Sequence, residues 1–107
     1  MNFITFKIDL TETTIQVSVR HKNKKEEIIQ LNNCNQSFYP LNIEFNNNEI
    51  IVCQNKINDN TITGFVEELF TNPTQYNKYT INYQNKEYQV LPETLLVLII
   101  NKFKKEN

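Results

Sequence analysis

The chain has 107 residues, 39% apolar and 21% charged, with a net charge of -1. A chain of this length buries about 60–70% of the surface that its unfolded form exposes, which allows one modest core. The charge balance supplies no global attraction to nucleic acid or to an anionic membrane, and neither is expected as a partner.

Cysteine and histidine usage narrows the chemistry further. Cys34 and Cys53 are too far apart in sequence for a paired-ligand zinc motif, and His21 is the single histidine. Two reduced thiols of an intracellular protein are the simpler reading. The N-terminus shows no basic stretch followed by an uninterrupted apolar run, so secretion is not indicated and a cytoplasmic location is expected. Asn35-Gln36-Ser37 has glycosylation spacing, which carries little weight without a leader.

Residues 3–10 and 13–20 alternate with period two: Ile4, Phe6, Ile8 and Leu10, then Ile15, Val17 and Val19. This pattern predicts two strands joined at Thr11-Glu12. A turn of this kind can aim Asp9 and the hydroxyls of Thr11, Thr13 and Thr14 at a phosphate or its metal. Glu12 opposes that use by placing a negative charge where the anion would sit, and no glycine lets the backbone close in. Asp and Thr in a turn also bond to neighbouring backbone, so a purely structural role competes for Asp9 and Thr13.

The cationic residues 21–25 read as a solvated hairpin turn, followed by a third strand over 26–31. Residues 38–45 alternate again and pair with 49–53 across Asn46-Asn47-Asn48, since Asn tolerates the left-handed backbone such turns need. Over 61–70, Ile62, Phe65, Val66, Leu69 and Phe70 recur at spacings of three and four. That spacing predicts a short amphipathic helix capped by Asn60 or Thr61 and stopped by Asn72-Pro73.

Residues 79–83 and 87–90 form a third predicted hairpin around Gln84-Asn85-Lys86. Tyr76, Tyr79, Tyr83 and Tyr88 offer faces on which bases could stack, but no basic groove surrounds them, and half-buried strands favour tyrosine. Pro92-Glu93-Thr94 opens the last element as a helix start, with proline at a first position and a carboxylate at the positive end. The apolar run 95–100 is much shorter than the ~20 residues of a membrane span, and its β-branched half leaves a strand as the competing reading. Lys102, Lys104 and Lys105 at the far end support the helix. A small chain has little material to cover such a helix, so residues 94–101 are expected to form an interface.

Several stretches together resemble the opening part of the nucleotide-binding domain of the DnaK-type, seventy-kilodalton heat-shock chaperones. Ile8-Asp9-Leu10-Thr11-Glu12-Thr13 stands where that family has I-D-L-G-T-T. Asn32-Asn33 through Pro40, Ile43 and Phe45 is similar to its N-D…T-P-S-x-V-x-F segment, and Lys56 falls at the lysine of G-x-x-A-K. Pro92-Glu93-Thr94-Leu95 looks like P-E-E-I, with the same apolar helix ending in Lys102-Phe103-Lys104.

The resemblance spans residues 3–105. It implies a strand-rich α/β chain with the actin-like ATPase, ribonuclease H-like fold, of which this would be the opening fragment of β-hairpins and two helices. Residues 1–31 would be the strands of the first subdomain, and 32–107 a small inserted subdomain with its return helix. It further implies ATP or ADP with Mg²⁺ as cofactor, Asp9 acting through the metal's hydration shell, and Thr11, Thr13 and Thr14 at the phosphates. Lys56 would orient the attacking water. Partners would be the remainder of such a domain, or a second copy through residues 94–101, with unfolded polypeptide and co-chaperones in an intact protein.

Thr11 and Glu12 depart from the family's Gly and Thr at the phosphate loop. An unrelieved like-charge pair at ~4 Å costs about 4 kcal/mol at an effective dielectric of ~20, roughly a thousandfold in affinity. The family's second phosphate loop and adenosine pocket have no counterpart in these residues. The expected role is therefore that of a truncated or divergent chaperone segment with an incomplete loop; the alternative is a non-catalytic interaction module.

Overall fold

A computed structural model of the chain describes residues 3–31, 34–71 and 78–106. The element order is β1 (Ile4–Leu10), β2 (Thr14–His21), β3 (Glu27–Ile28), β4 (Tyr39–Pro40), β5 (Ile43–Phe45), β6 (Ile50–Val52), α1 (Phe65–Thr71), β7 (Tyr79–Tyr83), β8 (Lys86–Val90) and α2 (Pro92–Lys105). This is the strand-rich mixed α/β domain with two helices that the periodicities predict. The expected helix stop at Asn72-Pro73, the Asn32-Asn33 match and Tyr76 lie outside the described residues.

β2 is the centre of the main sheet. Along one edge it pairs antiparallel with β1 over its whole length, from Ile4 opposite His21 to Leu10 opposite Ile15. Its other edge is shared by two short strands, β3 opposite Ser18 and Val19 and β4 opposite Thr14 and Ile15. Two hairpins complete the β structure, β5 with β6 and β7 with β8. Asn23, Gln84 and Asn85 take positive φ in hairpin turns, as residues tolerant of the left-handed region do.

The predicted strand 38–45 is in fact two strands belonging to different sheets. Pro40 has no N–H with which to continue a ladder. Two residues later, the buried Asn42 adds side-chain pairing to its backbone bond with Cys53: its amide donates to the Gln54 carbonyl (2.8 Å) and its Oδ1 accepts the Gln54 N–H (2.9 Å).

The first helix also differs from expectation. It begins at Phe65, not at residue 61, and neither Asn60 nor Thr61 caps it. Ile62 instead exchanges two backbone hydrogen bonds with Ile43 (2.8 and 3.1 Å), and Thr61 folds back onto Asn58. Gly64, the one glycine of the chain, turns the backbone into the helix at φ 77. Tertiary pairing with β5 thus takes the residues that would have formed the first helical turn.

One apolar cluster runs through the whole domain. It joins Ile15, Val17 and Val19 of β2 to Tyr39, Ile43, Val52, Phe65 and Val66, and to Leu95, Ile99 and Phe103 of α2. Those three α2 residues fall four apart and are fully buried, which turns a run that reads as apolar on all sides into a helix with one inner face. The expected lack of material to cover this helix is corrected along that face; the expectation of an interface over 94–101 concerns the rest of its surface. Leu96, Leu98 and Ile100 pack partly against the core, and among the apolar residues of that stretch Val97 is the exposed one, at 52%.

Tyr79 ties β7 to α1 through a 2.7 Å hydrogen bond from its hydroxyl to Glu68. Burial, then that bond, then the carboxylate charge push the Tyr79 pKa from its usual 10 to about 12. Because the folded value is raised, this contribution to stability is complete below pH 10 and is lost as pH rises from about 10 to about 12. A spectrophotometric titration should show a late-ionising tyrosine component, and Tyr79→Phe should remove it. Uniform ionisation near the ordinary value would contradict the Glu68 contact.

Candidate functional site

The segment with the strongest sequence signal for chemistry is the β1–β2 turn, and its hydrogen bonds run inward. The Thr11 N–H donates to the Thr14 carbonyl at 3.0 Å, closing the hairpin. Thr11 Oγ1 accepts the N–H of Thr13 (3.2 Å) and of Thr14 (2.9 Å), and lies 2.7 Å from the Thr14 hydroxyl. Threonine hydroxyls compete for local backbone donors in this way. The three threonine N–H groups that could cradle an anion are already engaged.

The turn is also tied to the rest of the fold. The Leu41 N–H donates to the Thr13 carbonyl at 2.9 Å, which holds the β4–β5 connection beside it. The result is a cleft of about 290 Å³ with Glu12 and Thr13 on one side and Gln54, Asn55 and Ile57 on the other. Asn42 and Gly64 contribute to its wall. Residues more than forty positions apart, the turn and the segment around Lys56, therefore meet across one cavity.

The predicted site residues are only partly gathered there. Thr13 lines the cleft together with Glu12, whereas Asp9, Thr11, Thr14 and Lys56 do not. Asp9 is on an exposed strand face, 3.8 Å from Lys7, and both side chains are largely solvated (49% and 60% exposed). Lys56 is exposed in the bend that follows β6.

Sequence reasoning missed Asn42, Gln54 and Gly64. Asn42 had a legible signal, an amide among alternating apolar residues, and Gly64 had another, as the single glycine of the chain. The Gln54 contribution comes from its backbone and leaves no trace in residue type.

As they stand, the threonines of the turn offer an anion few free donors. The N–H groups of Thr11, Thr13 and Thr14 are engaged within the turn, Glu12 lines the cleft, and among the described residues no three His, Cys, Asp or Glu side chains cluster to hold a metal. The cysteines offer no substitute chemistry. Burial pushes the Cys53 thiol up to about 12, opposed in part by the backbone of Asn42, so it stays protonated and inert. Cys34 stands half-buried and accepts a contact from the Asn55 amide at 3.5 Å.

No family model matches the chain, and no curated protein matches it. No helix among the described residues is long and apolar enough to cross a membrane.

Proposed function

We propose that the chain is a divergent opening segment of a DnaK-type ATPase domain, one that keeps the shape of the first phosphate turn without its binding chemistry. Its role on this reading is structural: it contacts protein and does not hydrolyse ATP. The actin-like fold, the chaperone ancestry and a cytoplasmic location belong to the same proposal. Support for the ancestry comes from the ordered sequence matches and from the cleft that joins the turn to the segment around Lys56.

The observation that carries the loss of binding is the Thr11 hydroxyl. In the family's loop a glycine at that position leaves the neighbouring N–H groups to the phosphates; here Thr11 Oγ1 takes those of Thr13 and Thr14. Glu12 adds charge repulsion in the adjacent cleft. The two effects are independent, so removing the charge alone does not restore a cradle.

Calorimetric titration with Mg-ATP tests this directly. No saturable binding is expected for the natural chain, for Glu12→Thr or for Asp9→Ala. Binding that tightens with Glu12→Thr and disappears with Asp9→Ala would overturn the reading, because it would require a phosphate loop that still works.

A further inference from the structure

Among the described residues the longest strand edge without a partner strand is the outer edge of β1. Among the described residues β1 pairs with β2 and with no other strand. At its two ends, the Lys22 N–H bonds to the Phe3 carbonyl (3.1 Å) and the Thr11 N–H to the Thr14 carbonyl (3.0 Å). Antiparallel pairing alternates, so the odd-numbered residues of β1 direct their backbone groups at β2, and Ile4, Phe6, Ile8 and Leu10 direct theirs outward.

The same four residues carry the apolar side chains of the strand. Phe6 and Leu10, opposite the buried Val19 and Ile15, pack partly against the core, whereas Ile8, opposite the buried Val17, stays 38% exposed and Ile4, opposite the exposed His21, 46%. Among the described residues the edge has no proline, no bulge and no covering strand, three of the usual protections against pairing with another chain.

We propose that two copies of this chain associate through β1, antiparallel and with the two-fold axis at Ile8. This names the partner in the protein-contact reading and rests on it. Charge selects both the occupant and the register. With the axis at Ile8, Lys7 stands opposite Asp9 of the second copy, and by symmetry the pair forms twice.

The apolar row matches in the same register. Ile8 meets Ile8 of the second copy and Phe6 meets its Leu10, while Ile4 at the strand end falls opposite Glu12 of the turn; Phe6, Ile8 and Leu10 are residues whose N–H and C=O groups point outward, so the backbone ladder closes over them as well. Shifting the axis to Lys7 sets like charges face to face, and shifting it to Phe6 leaves both Lys7 and Asp9 without an ionic partner. The strand is self-complementary in one register, and two sheets become one continuous sheet across the axis.

Sedimentation equilibrium over a concentration series tests the assignment, with circular dichroism confirming that each variant folds. The natural chain is expected to dimerise. Lys7→Asp and Asp9→Lys should each weaken the dimer roughly tenfold, since either change makes both symmetric pairs repulsive. The double exchange Lys7→Asp with Asp9→Lys should restore it, because the pairs are then reversed. Both side chains are solvent-exposed, so the fold tolerates the changes.

A monomer at all concentrations would overturn the proposal, as would a dimer indifferent to these reversals, which would place the contact elsewhere, on 94–101 for example. Neither result touches the loss of nucleotide binding, which the Mg-ATP titration reads separately.

Discussion

Phe103→Ala is expected to cost about 3–5 kcal/mol of folding stability. Phe103 is completely buried in the last turns of α2, and its ring stands edge-on to that of Tyr39 on β4, with centroids 5.5 Å apart and planes at 72°. The substitution removes a large apolar volume and a favourable ring pair worth about 0.5–1.5 kcal/mol beyond area. Tyr39 cannot move in to fill the space, because its hydroxyl accepts the Leu31 N–H (2.8 Å) and donates to the Cys34 carbonyl.

A domain of this size has about 5–15 kcal/mol in total, so the variant is left near the edge of unfolding. Urea denaturation measures the loss, with Phe103→Leu as a milder control that keeps most of the apolar volume. A loss below about 1 kcal/mol would mean that α2 is not packed on β4 as described.

Asn42→Ala should cost about 2–4 kcal/mol, a large effect for so small a side chain. Both polar atoms of that side chain are engaged with the backbone of Gln54, one bond in each direction, at a site where Asn42 is buried. Truncation leaves a donor and an acceptor without partners. Asn42→Asp repairs only half of this, since a carboxylate accepts the Gln54 N–H but faces its carbonyl with a negative charge.

Hydrogen exchange gives a local reading of the same change. The Gln54 amide should exchange much faster in Asn42→Ala, while that of Cys53, which bonds to the Asn42 backbone carbonyl at 2.9 Å, should change less. Equal acceleration at both positions would indicate general fraying of the β5–β6 hairpin.

These two residues illustrate what could be read in advance. Phe103 belongs to a run whose helical character follows from Pro92, Glu93 and the terminal lysines, and that element is where the sequence predicts it. The β1–β2 and β7–β8 hairpins were equally legible, because strict alternation and turn residues act locally. Asn42 stood out in the sequence only as an amide among apolar residues; its role was not legible, since it depends on a partner twelve positions away. The start of α1 was misread for a related reason: the pairing of Ile62 with Ile43 outweighs the helical spacing of residues 61–64.

The candidate site divides in the same manner. The sequence located the turn at residues 9–14 and the charge conflict at Glu12, both properties of adjacent residues. The engagement of the threonine N–H groups by Thr11 Oγ1, and the cleft shared with residues 54–57, depend on backbone conformation and on distant segments.

By itself, then, the sequence determined the strand-rich composition of the fold, its hairpins and its closing helix, because periodicity and turn chemistry need only near neighbours. Tertiary structure decided which apolar surface is covered. α2 reads as apolar on all sides and β1 as an ordinary strand, yet the core closes over Leu95, Ile99 and Phe103 and, among the described residues, no strand covers the outer edge of β1. Local pattern says that a residue is apolar, and only the packing of distant elements says what lies against it.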